Sequence, residues 1–437
     1  MPKNLTRESK HFGWNYLIRG SVGVGILKVM SMGISFFNVF LITKIFGLVA
    51  LGLFGLSRTL IDLIMVFSKA GLPTLVLKEI GSEANPESKS LYFKAILKLS
   101  FQISIGASLL VVIFSYPLAH YVYKSPILTV GLVIGALVIP LLSQGSTIVS
   151  ALNGIGSIYT AALLQLIVPN IFVLLAICLG WWYGFDHVLL PLLGLYVGWI
   201  LSYFIGLCRL SKKLPLSKAS GQEPILTSKE LLKTAWPMAL SNVSFFMLTM
   251  TDTLMLGVFQ DMENVGIYRV LTRLTILCAF ALPALNALTG PSLARLHRQE
   301  KHNELIQQMK RVRWIALAGA WVPFLILCFG NKRILLIFGT ELVPYTLSLL
   351  LLALGQSIMA SFGMATPFLN MTGYQHEAGR NSLVGACVNV IANFVLIPKL
   401  GLLGAAISTL LGITVWVVGA NISMQRAHRF NFVTTWR

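Results

Sequence analysis

Twelve apolar stretches run along the chain, separated by short polar segments. The first six are Gly20–Ile42, Ala50–Ser68, Tyr92–Ser115, Ile127–Val149, Ser157–Gly180 and Val188–Cys208. The second six are Thr234–Val258, Gly266–Leu285, Trp314–Gly330, Tyr345–Phe368, Asn381–Ile397 and Gly401–Ile422. A bilayer core asks for about 20 apolar residues in one helix, and each stretch is close to that. None alternates with period two, as barrel strands do, so the predicted elements are membrane-spanning helices. The ninth, from Trp314, is the shortest.

The second set repeats the first. Gly52-Leu53-Phe54, followed by Arg58 and Thr59, aligns with Gly266-Ile267-Tyr268, followed by Thr272 and Arg273, at an offset of 214. Leu152-Asn153 and Gly156 align with Leu369-Asn370 and Gly373 at an offset of 217. The matches sit at helix ends, where glycine and asparagine have backbone roles. Two six-helix halves of like orientation form a transporter plan in which the substrate lies between the halves. The expected fold is all-α and polytopic, with about 12 transmembrane helices in two pseudo-symmetric lobes around a central cavity. Residues 1–208 and 234–437 are the lobes, and 209–233, rich in lysine and proline, is the linker.

Composition agrees: the 437 residues are 56% hydrophobic and 11% charged, against about 25% charged in soluble domains. The net charge of +19 is distributed by topology. With the N-terminus inside, 23 Lys and Arg fall in cytoplasmic segments and 5 on the other side. That asymmetry predicts cytoplasmic termini and removes any need for a nucleic-acid partner. Segments Leu72–Ile80 and Pro291–Arg313 read as amphipathic interfacial anchors. Gly131 and Gly135 form a GxxxG for close helix packing. The five cysteines form no CxxC pair and read as small core residues.

Candidate chemistry rests on ionisable residues inside spans, which are costly and face a cavity or a partner. Lys28 lies about 12 Å into the first span, on a face shared with Ser21, Gly25, Ser31 and Ser35. Arg58 and Asp62 are four apart on span 2, and Arg269 and Arg273 are four apart on span 8. Arg269 is expected to snorkel outward, while Arg273 lies deeper. Asp252 on span 7 is expected to pair with Arg273 or to take a coupling proton or sodium ion. Lys98 and Arg19 are snorkelling edge residues. Gln165, Asn389 and Asn393 read as interhelical hydrogen bonders. No P-loop, HExxH or GxSxG is present, so neither a catalytic site, a metal site nor a cofactor is expected.

Gly47-Leu48-Val49-Ala50-Leu51-Gly52-Leu53-Phe54, Gly71-Leu72-Pro73, Leu152-Asn153-Gly154 with Gly156, Asn370 with Gly373, and Pro291-Ser292-Leu293-Ala294-Arg295 together carry a resemblance. Their order over twelve spans is similar to that of the bacterial oligosaccharide flippases of the O-antigen type. These belong to the multidrug/oligosaccharidyl-lipid/polysaccharide exporter superfamily. The second Gly47-type position is Asp261, so the motif is degraded in the second half. The resemblance implies transfer of an undecaprenyl-pyrophosphate-linked oligosaccharide from the cytoplasmic to the periplasmic leaflet, for O-antigen, capsule or exopolysaccharide synthesis. It implies a cationic cavity, and Lys28, Arg58, Arg269 and Arg273 against Asp62 and Asp252 supply a net positive one. The implied partners are the lipid-linked oligosaccharide, membrane lipids and polysaccharide polymerase machinery. A drug or cation antiporter of the same superfamily is the alternative, and would want carboxylates unopposed by bases. A peptidoglycan-precursor flippase would need two further spans, and a glycan polymerase a long catalytic outer loop.

Overall fold

The computed structural model describes residues 14–82, 85–185, 187–214, 227–282, 285, 289, 296, 299 and 301–428. Every regular element among them is a helix. The first, α1 (Trp14–Lys69), holds the first two expected spans, bent at Gly47, whose φ of 82° and ψ of 175° are non-helical. A side chain at that φ would clash with the backbone, which is why glycine stands there. Next come α2 (Leu72–Ser82), α3 (Pro86–Pro117) and α4 (Ile127–Gly154). A π-turn, Leu163–Ile167, joins α5 (Ile158–Ala162) to α6 (Val168–Tyr183), and α7 (Leu190–Ser211) follows. The second half contains α8 (Ser228–Phe259), α9 (Met262–Thr275), α10 (His302–Phe338), α11 (Thr346–Phe362), α12 (Ala365–Met371), α13 (Gln375–Leu400) and α14 (Leu402–His428).

Nine helices among the described residues are long and apolar enough to cross a membrane, and the first counts twice because of its bend. The other two expected spans are α8, apolar over Phe246–Phe259, and α9 with the 3-10 turn Ile276–Ala279 that continues it. The chain is therefore a multi-pass membrane protein. Three expectations change. The ninth span is not short: α10 has 37 residues and includes Lys332 and Arg333, which the hydropathy pattern placed in a loop. The anchor expected at Pro291–Arg313 lies partly outside the described residues, and from His302 it is already the start of α10. Leu72–Ile80 is the amphipathic helix expected, with Leu72, Leu75, Val76 and Ile80 buried. The cysteines form no disulfide among the described residues. Cys178, Cys208 and Cys387 lie on exposed helix faces rather than in the core, and Cys278 is buried.

Helices α1, α3, α4, α6 and α7 pack among themselves, as do α8, α10, α11, α13 and α14. The two groups meet chiefly where α1 crosses α9 and where α1 and α2 meet α8. At the first crossing a Cβ on Gly52 would stand 2.0 Å from the Met262 carbonyl oxygen, and one on Gly266 2.0 Å from that of Leu48. These are one contact taken twice, because Leu48 and Met262, like Gly52 and Gly266, are 214 residues apart. Equivalent residues touch their own images only on a two-fold axis, so the axis relating the repeats passes here. The offset of 217 is legible in the backbone too. Gly156 (φ 80°) matches Gly373 (φ 90°), and Gly184 and Gly401, which end their helices, both have positive φ although their ψ values of 25° and −129° differ.

The second crossing lies at the other end of the same limb. Gly71 sits against α8 so closely that a Cβ would meet the Ala235 carbonyl oxygen at 2.3 Å. Leu72, Leu75, Val76 and Ile80 share one apolar cluster with Leu231 and Ala235. From Gly52 to Gly71 is 19 residues, about 28 Å of helix rise, close to the thickness of a bilayer core. The two touches are thus about one bilayer core apart, and the charged residues of span 2 lie between them.

Candidate substrate site between the helix groups

One face of span 2 packs on the GxxxG of α4. A Cβ on Gly131 would meet the Ser57 hydroxyl at 2.9 Å, and one on Gly135 would meet Ile61 at 2.7 Å and the Tyr196 hydroxyl of α7 at 2.4 Å. Only glycine admits this approach. Arg58 and Asp62, one residue further on, are rotated out of that packing. Arg58 Nε and Asp62 Oδ2 are 3.6 Å apart, with side chains 34% and 49% accessible. An accessible pair at that distance contributes at most about 1 kcal/mol, so the guanidinium exchanges its partner readily.

The arginines of α9 reach across to this limb. Arg269 Nη2 donates to the Gly55 carbonyl at 3.0 Å and to the Thr59 hydroxyl at 3.4 Å. Outward snorkelling, expected for Arg269, is therefore replaced by a bond between the groups, because the Gly55 carbonyl and the Thr59 hydroxyl, left open by the absence of a side chain at Gly55, lie within its reach. Arg273 donates to the Ser35 hydroxyl on the first limb of α1. The charge of Arg58 acts on both α9 arginines, and those of Asp62 and Arg273 act on Arg269. Arg58, Asp62, Arg269 and Arg273 thus form one cluster of three guanidinium groups and one carboxylate.

Lys28 is partly buried and makes no ion pair or hydrogen bond among the described residues. It stands two turns before Ser35 on the same face, so its face of span 1 is the one Arg273 meets. The polar stripe around it is divided. The Ser31 hydroxyl donates to the Leu166 carbonyl at 2.9 Å, and the Ser202 hydroxyl to that of Leu164 at 2.8 Å. Both satisfy carbonyls that the π-turn displaces. Gln165, within that turn, is exposed. Of the stripe residues, Ser21 has no side-chain description.

Asp252 is elsewhere. It is 4% exposed and does not pair with Arg273, because four neutral donors from three other helices enclose it first. Asn389 donates to Oδ1 at 3.0 Å, joined there by Asn393. Tyr268 donates to Oδ2 at 2.8 Å and Thr409 at 2.6 Å. The Asn393 side-chain oxygen Oδ1 is buried without a partner among the described residues. Asn389 and Asn393 are interhelical bonders, as their polarity in an apolar run indicated. Tyr268 and Thr409 were missed, although Tyr268 lies in the repeated Gly-x-Tyr segment.

Comparison with known proteins follows the same lines. A family model described as "Polysaccharide biosynthesis protein" matches residues 17–297. The "Probable low-salt glycan biosynthesis flippase Agl15" of Haloferax volcanii is 23% identical over 411 residues, covering 91% of this chain and 81% of that protein. Among solved structures, "Lipid II flippase MurJ, inward closed conformation" superposes with a TM-score of 0.75 at 16% identity, covering 92% of this chain and 87% of that one. A point mutant of the Vibrio cholerae MATE transporter VcmN superposes with a TM-score of 0.63 at 16% identity, covering 95% of this chain and 97% of that one. At such identities the structural likeness speaks for the fold, which is the two-lobed helical fold expected from the repeat.

Proposed function

We propose that this chain, a member of the polysaccharide biosynthesis protein family, is a flippase for an undecaprenyl-pyrophosphate-linked oligosaccharide. It moves this unit from the cytoplasmic to the periplasmic leaflet of a bacterial inner membrane, where polymerase machinery takes it up. The observation that carries the reading is the cluster of three arginines and one carboxylate where the two helix groups face each other. A net positive site suits a diphosphate and repels a cationic drug. The name of the Haloferax relative, a glycan biosynthesis flippase, supports the same reading.

In this mechanism Arg58, Arg273 and Lys28 bind the diphosphate, and Arg269 adds charge while holding α9 on α1. The anion displaces Asp62 from Arg58, a substitution that a loose 3.6 Å pair permits. Residues 1–208 and 234–437 move as lobes joined by 209–233. Charges attract strongly in a dry site, so release follows when the site opens outward and re-wets. Asp252 takes a coupling proton or sodium ion, which would neutralise a carboxylate that now has only neutral partners.

The test is surface glycan restored to a flippase-deficient strain, normalised to protein level. Arg58→Ala and Arg273→Ala are expected to leave under about a tenth of wild-type export, the loss of a charge-assisted contact. Lys28→Arg should retain more than Lys28→Ala, because the diphosphate needs charge before donor geometry. Lys98→Ala, exposed at the side of α3, should export normally. Full export by all three alanine variants would overturn the cationic site. Sidedness has its own check: reporters fused after Lys124 and Asp261 are expected to be periplasmic and one after Lys213 cytoplasmic.

A further inference from the structure

We propose that Lys69 is a second binding position for the diphosphate headgroup, the first cation it meets on entering from the cytoplasmic leaflet. This rests on the lipid-diphosphate reading of the central site and extends it by one residue and one step. Charge counting along the sequence places Lys69 among the cytoplasmic loop bases. The structure places it inside α1, as its last residue.

Its position on the helix is the first argument. Lys69 follows Asp62 by seven residues and Arg58 by eleven, two and three turns, so all three share one face. Along the axis it lies about 10 Å beyond Asp62 and about 16 Å beyond Arg58. Asp62 acts on its charge. The three form a ladder of cation, anion and cation on the limb between the two group contacts.

Its surroundings are the second. The helix stops immediately after Lys69 in two left-handed residues, Ala70 (φ 46°) and Gly71 (φ 75°), and Gly71 is pinned against Ala235 and Ala239 of α8. A lysine at a helix end ordinarily snorkels into water. Lys78, on α2, does so, 59% exposed beside Glu79. Lys69 is partly buried and makes no hydrogen bond or ion pair among the described residues. A half-buried ammonium with no partner among the described residues, on the face that carries the anion site, is a position suited to an anion.

Its chemistry is the third. An ammonium is a compact, strongly hydrated charge with three rotatable donors, suited to capturing a headgroup that still carries water. The planar guanidinium of Arg58 then holds the desolvated anion in fixed geometry. The headgroup would pass from Lys69 to Arg58 along one helix face as the Gly71–Ala235 contact opens.

The test uses the full-length protein in nanodiscs and two probes, farnesyl diphosphate and inorganic pyrophosphate. Lys69→Gln is expected to weaken farnesyl diphosphate binding about tenfold, the loss of one charge-assisted contact. Lys69→Arg should stay within about twofold of wild type. The melting temperature of Lys69→Gln should not fall, because a half-buried charge with no partner among the described residues adds no ion pair to the fold. Wild-type binding by Lys69→Gln, with Arg58→Ala impaired, would overturn the role of Lys69 and leave the central site standing. Weak binding by both Lys69 variants with a lowered melting temperature would make Lys69 structural and also overturn it. No farnesyl diphosphate binding by the wild type, or binding unaffected by Arg58→Ala, would remove the reading underneath. Tight binding of pyrophosphate alone would assign the position to a free anion instead of a lipid.

Discussion

Gly266→Val and Gly52→Val are each expected to reduce glycan export to background while the protein still reaches the membrane. The added Cβ would lie 2.0 Å from a carbonyl oxygen of the opposite group, Leu48 in one case and Met262 in the other. Backbone cannot yield as a flexible side chain does, so the groups must separate at this crossing. Overpacking of this kind costs about 1–3 kcal/mol, enough to empty a state that closes only by that contact. Gly25→Ala is the matched control, because a Cβ there meets nothing within 4 Å, and it should export normally. In a cysteine-free background, Thr59→Cys reads out the gap. Thr59 is fully buried beneath Arg269, and an impermeant maleimide should label it only in the valine variants. Normal export by Gly266→Val would show that the crossing does not gate the site.

The second large effect separates two roles of Asp252. Asp252→Leu is expected to lower stability by about 3 kcal/mol, because it strands the buried Asn389 and Asn393 amides. Asp252→Asn should melt near the wild type. Its amide can donate to the Tyr268 and Thr409 oxygens, since Thr409 has the Ala405 carbonyl for its own proton at 2.9 Å and Tyr268 has Thr409 at 3.2 Å. Its carbonyl oxygen still accepts from both asparagines. Asp252→Asn therefore removes the charge and keeps the network. If Asp252 takes the coupling ion, this variant should fold, sit in the membrane and lose the dependence of transport on an imposed proton or sodium gradient. Retained gradient dependence would make Asp252 a structural acceptor only.

The helices were legible because apolar length is a direct requirement of the bilayer, and the repeat was legible because glycine at a backbone contact has no substitute. Span 9 was cut short for the opposite reason. Lys332 and Arg333 stop a hydropathy window but not a helix, whose hydrogen bonds are indifferent to side-chain charge. The site was legible in part. Arg58 and Asp62 announce themselves by spacing, and four-residue separation within one helix needs no tertiary knowledge. The partners of Arg269 and Asp252 were hidden, because Gly55, Thr59, Tyr268, Asn389, Asn393 and Thr409 reach them from other helices. Lys69 was hidden by its neighbours: a base beside Gly71 and Pro73 reads as loop until Ala70 and Gly71 are seen closing the helix after it.

The crossing at Gly52 and Gly266 also bears on the history of the chain. In an ancestor built from two identical subunits, a single substitution there would have introduced two clashes at once, one on each side of the axis. Fusion into one chain halves that penalty and frees the two positions to drift apart. They have not, whereas Gly47 and its counterpart Asp261 have, and Asp261 now stands at φ −75° ahead of α9. The charges have parted further, with Arg58 opposite Thr272, Gly55 opposite Arg269 and Thr59 opposite Arg273. The symmetry holds where main chain meets main chain and lapses where side chains differ, so each lobe carries charges that its twin lacks.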